Sequence, residues 1–345
     1  MEEISAKKQM AKVRSFEKGF MATLLINIGA ELGLFEALNE KKEGITVSEL
    51  VAKCNLYEPY LRIWCQTAYH FEILDADDHG RFRLQPFLDE ILGDKTHFRN
   101  YLANIYMDVR IGDSIELFME AFRTGKPVNS YDTPEFSKMA YEPTKNIPMA
   151  FLYMILPKFE HLKRNLEQGV RFLDIGCGNG NLIIQLAVAF EKSTFVGIGP
   201  DVYGIESAKA TISQLGLGDR VAVECMEGES IPYEDEFHMA TMVLTLHEIP
   251  PAVRQEAVRR AHQALKKDGQ LLILDFPYPS KLEDFRNPIF DFAISDQFFE
   301  CCAGFFHLNN DQQNAVITNA GFTNIQRTAI GKGMFDFITA TKSEI

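Results

Sequence analysis

Phe172-Leu173-Asp174-Ile175-Gly176-Cys177-Gly178-Asn179-Gly180 is the stretch whose reading decides the fold. An apolar run that includes one acid reads as a buried strand, three glycines at alternate positions follow, and 182–190 continues as a helix. Glycines are needed where the backbone turns tightly and a ligand lies against it with no Cβ between. Position 181 is Asn, so the G-x-G-x-x-G of nicotinamide sites is not met. Asp174 would repel a pyrophosphate but suits an ammonium group, so an amino-acid-bearing nucleotide fits this turn better than NAD does.

Downstream of the loop, strands are expected over 170–175, 194–198, 221–225, 239–246 and 269–276, with helices over 182–190, 203–216 and 251–266. This alternation predicts a parallel sheet with helices on both faces. A helix over 311–320 and strands over 323–329 and 334–341 end the chain. The two strands are joined through Gly331 and Gly333, close enough to pair antiparallel.

Upstream, the first 165 residues read as mostly helical. Phe16, Phe20, Leu24, Ile28, Leu32 and Phe35 recur every three or four residues, one helical stripe that serves either a core or an interface between subunits. Thr46-Val47-Ser48-Glu49 has the form of a capping box, a helix follows over 59–71, and Asp77-Asp78-His79-Gly80 turns a hairpin. Helix, helix, hairpin is the order of a winged helix. Between Gly44 and Asp94, however, four basic residues face nine acidic ones, a balance of −5 and the wrong sign for a phosphate footprint. Dimerisation is the expected role. The expected division is 1–96 helical and winged-helix-like, 97–165 a helical connector and pocket lid, and 166–345 the ligand-binding domain.

Composition agrees. The 345 residues suggest two domains, and 35 Lys and Arg against 48 Asp and Glu give −13, which argues against nucleic acid or an anionic membrane surface as partner. Cys54, Cys65, Cys177, Cys225, Cys301 and Cys302 include no C-x-x-C pair, so reduced thiols and a cytoplasmic location are expected. No stretch reaches the roughly 18 to 20 apolar residues of a membrane span.

The block Leu173-Asp174-Ile175-Gly176-Cys177-Gly178-Asn179-Gly180 resembles the class I S-adenosylmethionine-dependent methyltransferases, over roughly 165–342. The front half is similar to the dimerising domain of small-molecule O-methyltransferases. The resemblance implies an α/β Rossmann-like sheet of seven strands with a C-terminal antiparallel hairpin, a homodimer, and a small-molecule acceptor, aromatic or carboxylated. By the same resemblance Asp174, Gly176, Cys177, Gly178 and Gly180 hold the methionine half of S-adenosylmethionine. Glu229 and Ser230 stand in the adenine segment, and Leu244 ends the fourth strand. Two departures are visible. Gly199 occupies the place of the acid that grips the ribose hydroxyls, leaving Asp201 to reach them from a shifted loop, and His238 stands where another Asp is common.

Methyl transfer from a sulfonium needs alignment of acceptor and methyl and often removal of one proton. Val243-Leu244-Thr245-Leu246-His247-Glu248-Ile249 ends the fourth strand, at the edge where open α/β sheets bind ligands. His247 resembles the catalytic base of small-molecule O-methyltransferases, with Glu248 to orient it or to cap the next helix. His307 lies in the region that usually lines the acceptor pocket, among phenylalanines with Asp291 and Asp296 as polar points. Some relatives that C-methylate α-keto acids are metal-assisted, which makes His247, His307 and Glu248 a candidate divalent-metal set. A further alternative is a ligand-sensing regulator with a degenerate fold.

Overall fold

A computed structural model describes residues 4–128, 133, 134, 137 and 141–343. The chain packs as two compact units that meet between Ile115 and Glu116, so 116–165 belongs with the sheet-bearing unit.

The first unit opens with α1 (Ala6–Glu31), capped by the Ser5 side chain accepting from the Lys8 amide, and turns through Gly33 into α2 (Leu34–Glu40). The capping box forms as its sequence predicts: the Thr46 hydroxyl accepts from the Glu49 amide and the Glu49 carboxylate from the Thr46 amide, starting α3 (Val47–Cys54). Then come α4 (Glu58–His70), with Pro59 in its first turn, the hairpin β1 (Leu74–Ala76) and β2 (Phe82–Leu84), and α5 (Leu102–Asp113). Leu34, Phe35, Leu38, Leu50, Leu61, Trp64 and Leu74 form the core. At Gly29 a Cβ would meet Trp64 at 2.5 Å, so α1 and α4 touch backbone to ring, and the Trp64 indole donates to the Leu25 carbonyl at 3.0 Å. The stripe expected on one helix is broken, because α1 ends at Glu31, the chain turns at Gly33 and Phe35 lies on α2. Phe35 is fully buried, whereas Phe16, Phe20, Ile28 and Leu32 are exposed in this chain.

The second unit starts with α6 (Ile115–Thr124) and α7 (Glu160–Gln168) and continues as β3 (Arg171–Ile175), α8 (Asn181–Ala189), β4 (Thr194–Gly199), α9 (Val202–Gln214), β5 (Val221–Cys225), β6 (Phe237–Val243), α10 (Pro251–Ala264), β7 (Leu265–Asp275), α11 (Asp291–Glu300), α12 (Asn310–Asn319), β8 (Phe322–Ile330) and β9 (Phe335–Lys342). The sheet order is β5-β4-β3-β6-β7-β9-β8, parallel except for β9, which pairs antiparallel with β7 and β8. Successive residues of β3 alternate between faces: Phe172 joins the layer under α7, α8 and α9, while Leu173 and Ile175 join the layer under α10 and α12. Strand order reverses direction between β3 and β6, which opens a crevice at the carboxyl ends of these strands. Among the described residues, no single helix is long and apolar enough to cross a membrane.

Gly29→Val should lower the unfolding free energy of the first unit by about 1 to 3 kcal/mol, because the added methyls must displace Trp64. Urea denaturation followed by Trp64 fluorescence measures it, and an unchanged midpoint would refute the close approach.

Candidate functional site

A cavity of about 710 Å³ lies at the switch point. Its floor is the glycine turn. Gly176 and Gly178 sit at φ of 78° and 52°, in the left-handed region that favours glycine. A Cβ at Gly176 would meet the Thr245 hydroxyl oxygen at 2.3 Å, and one at Gly178 the Tyr141 ring at 2.7 Å. The Gly176 and Cys177 amides both donate to the Ile198 carbonyl, at 2.8 and 2.9 Å, which anchors the turn to the end of β4.

Asp174, Gly176, Cys177, Gly178, Gly199, Asp201, Glu229, Leu244 and Glu248 all line this cavity, so most of the residues singled out from sequence come together. Gly180 does not line it. It starts α8 at φ 70°, with its Cα facing the Ala208 methyl of α9. Ser230 ends the short turn after β5, outside the lining. His238 lies at the far end of the sheet, accepting from the Arg171 amide. Leu244 holds a left-handed φ of 52°, strain of about 1 to 3 kcal/mol at the crevice edge. Tyr141, Thr144 and Ile147 also line it without having been singled out, since helical patterns upstream of the sheet gave no sign of facing it, and Glu227 and Thr245 line it beside Glu229 and Leu244.

Asp174 is fully buried and its carboxyl is pushed up to about 7 by burial, against the hydrogen bond it accepts from the Thr241 hydroxyl at 2.7 Å. Asp201 is already engaged on both oxygens. One caps α9 through the Tyr203 amide at 3.0 Å and the other accepts from the Ser137 hydroxyl at 2.6 Å. Among the described residues the lining contains five carboxylates (Asp174, Asp201, Glu227, Glu229, Glu248) and no Lys or Arg, a wall suited to a cation.

His247 is not on this wall. It is 2% exposed, behind Glu248, with Nδ1 2.6 Å from an oxygen of Asp275, which ends β7 and is 1% exposed. Burial alone would lower its pKa, but the Asp275 charge and hydrogen bond, with Glu248 and Glu300 nearby, outweigh it and raise the ring to about 10. His247 is therefore an imidazolium near neutral pH. Asp275 went unnoticed in the sequence, and its one signal was an acid closing an otherwise apolar strand. His307 stacks on His247, with ring centroids 4.3 Å apart, and its Nε2 pairs with Asp296 at 3.0 Å. His307 borders a second cavity of about 520 Å³ with Phe122, Tyr278, Phe298 and Phe306.

Ligating atoms of His247, Asp296 and His307 lie within 4.8 Å of one another. His307 Nδ1 and Asp275 Oδ2, both buried, have no hydrogen-bond partner. The donors fit a divalent cation, and the carboxylate that joins the two histidines is Asp296, whereas Glu248 faces the first cavity.

Comparison with known proteins follows this geometry. The family described as "Methyltransferase domain" matches residues 172–269, β3 to the start of β7. The chain carries a class I S-adenosylmethionine-dependent methyltransferase domain. Over 122 residues it is 34% identical to 27-O-demethylrifamycin SV methyltransferase of Amycolatopsis mediterranei (strain S699), covering 34% of this chain and 44% of that enzyme. The chain thus matches less than half of that relative's length. In fold it is similar to human N-acetylserotonin methyltransferase in complex with S-adenosylmethionine (TM-score 0.79, 14% identity, 100% of both chains). It is likewise similar to an O-methyltransferase of neocarzinostatin biosynthesis, solved with S-adenosylmethionine and 2-hydroxy-5-methyl naphthoic acid (TM-score 0.68, 15% identity, 93% and 96% of the two chains). The seven-stranded methyltransferase sheet and its C-terminal hairpin are as the sequence predicts.

Asp275→Asn should cost the methyltransferase domain about 3 to 5 kcal/mol at pH 7, since it leaves a buried charge unpaired. The stabilisation from His247 is complete below its ordinary pKa of 6.5 and fades as pH rises through about 10. Chemical denaturation at pH 7 and pH 10 tests both points. Equal losses at the two values would contradict the pairing.

Proposed function

We propose that the protein transfers the methyl group of S-adenosylmethionine to a small-molecule acceptor. The observation that carries the reading is the glycine-floored cavity with Asp174 buried beneath it and, among the described residues, five carboxylates and no basic side chain in its lining. When bound, S-adenosylmethionine supplies an electrophilic methyl on a sulfonium. Asp174 meets the cofactor's ammonium group, the bare backbone of Gly176 and Gly178 admits its chain, and Cys177, Gly199 and Leu244 line its path. Glu227 and Glu229 face the adenosine end, where Asp201 is occupied with capping. Thr144, Ile147, Val128, Phe305 and Glu248 form the acceptor end.

His247 adjoins that end through Glu248 and is the group that takes the acceptor's proton, with Asp275 holding Nδ1 so that Nε2 does the work. Because the ring starts protonated, only its small neutral fraction acts at pH 7. The chain works as a homodimer in the cytoplasm. This is supported by the exposed apolar stripe of α1 and by six cysteines that are all free.

Calorimetry with S-adenosylmethionine tests the core of this reading. Wild-type protein should bind, and G178R, which drives a long side chain into Tyr141 and the cavity, should not. Affinity should also fall about tenfold per pH unit below pH 7 as Asp174 takes up its proton. Absence of wild-type binding at pH 8 would overturn the proposal. With an acceptor in hand, the methylation rate should rise about tenfold per unit between pH 6 and 9, since His247 must be neutral to accept a proton.

A second reading is favoured by the His247–Asp296–His307 cluster: metal-assisted C-methylation of an α-keto acid, with those three side chains holding the ion. A bound divalent metal would supply Lewis-acid polarisation of a chelating carbonyl. Cobalt(II) titration separates the readings, because a visible absorption band present in wild type and lost in H307A supports the metal. No band in wild type removes this second reading and leaves the first standing.

A further inference from the structure

The two histidines come from segments 60 residues apart in the chain, one after β6 and one before α12, and two side chains outside the lining of the glycine-floored cavity join these segments. Arg254, in the first turn of α10, is 6% exposed. Its guanidinium donates only to main-chain carbonyls: Nε to Ile249 at 2.9 Å, and Nη2 to His247 at 2.9 Å and to Phe306 at 3.0 Å. The same His247 carbonyl accepts from the Phe306 amide at 3.0 Å. A single planar fork therefore ties the backbone of one histidine to the residue preceding the other. From the opposite side, Gln297 on α11 brackets the same strand of chain. Its amide nitrogen donates to the Phe305 carbonyl at 3.0 Å and its oxygen accepts from the His307 amide. Asp296, next to Gln297 on α11, holds the His307 ring itself.

We infer that Arg254 and Gln297 are positioning residues that set the His247–His307 ring stack, one clamping the main chain from α10 and the other from α11. The physical reason is specific to these side chains. A guanidinium presents several donors in a fixed plane and stays charged when buried, which is what three converging carbonyls require. A lysine ammonium is a compact point charge that cannot match this fork. A primary amide carries a nitrogen donor and an oxygen acceptor on one planar group, which serves the Phe305 carbonyl and the His307 amide together. The inference rests on the reading that the two histidines serve methyl transfer, which gives two buried imidazoles a reason to be held face to face with centroids 4.3 Å apart.

The test reads the imidazoles directly. Full-length protein labelled with 15N-histidine gives ring signals that are assigned by their loss in H247N and H307N. In R254M both signals should move by more than a linewidth, while S-adenosylmethionine affinity, read by calorimetry, stays unchanged. R254K should not restore the wild-type positions. Q297L, which leaves Arg254 in place, should move the His307 signal more than the His247 signal, and it keeps the question decidable if R254M fails to fold. Ring signals unmoved in R254M and Q297L overturn the inference, as does full recovery in R254K. Failure of the methyltransferase reading shows separately, as absent cofactor binding in wild type, because the ring signals need no cofactor.

Discussion

The chain can leave β3 in only one way. Gly176, Gly178 and Gly180 all lie at positive φ, and at Gly176 even a methyl would run into Thr245 from the β6 loop. The turn is pinned at the same time to β4 by two amides that share the Ile198 carbonyl. Three strand ends are thus brought to one place by a turn whose alternate residues carry no side chain, and the cavity is what remains between them. Beneath it, Asp174 is buried with a single hydroxyl as partner, a costly position that a cationic ligand relieves.

Beside this crevice lies a second arrangement of buried charge. His247, Asp275 and His307 are buried beside the partly buried Asp296 and Glu300, where solvent screens charge weakly and each group shifts a neighbour. Glu300 is pushed up to about 8 by burial and by the acids around it, while Asp275 is drawn below its usual range, against burial, by His247. Such a cluster keeps its shape only if the backbone carrying it is fixed. The carbonyls of His247 and Phe306 are fixed by Arg254, a buried cation used for main-chain hydrogen bonds rather than for pairing with a carboxylate.

The first unit follows a simpler logic. One side of α1 gives up its side chain at Gly29 to accept Trp64, and Phe35 completes the core. The exposed phenylalanines of the same helix find no partner in that core, although sequence periodicity alone placed them on one stripe with Phe35. The three- and four-residue spacing runs straight through the turn at Gly33, so the residues it groups lie on two helices that meet different neighbours.

Sequence by itself determined the strand-glycine-helix turn, the alternation of strands and helices and the terminal hairpin, and its resemblance to a known family pointed to nine of the residues around the cavity, from Asp174 to Glu248. The turn and the elements follow from local rules: a period, a capping pattern, or the conformational freedom of glycine at a forced turn. Tertiary structure alone decided that His247 pairs with Asp275 across 28 residues, that His307 stacks on it, that Asp296 rather than Glu248 joins the histidines, and that Asp201 caps a helix. It also brought Tyr141 and Thr144 to the cavity from a segment whose own pattern says nothing of the sheet. Those contacts join strand ends and loops that lie far apart in the chain, and the physics that selects them, burial of charge and the matching of donors to carbonyls, acts only after the sheet has formed.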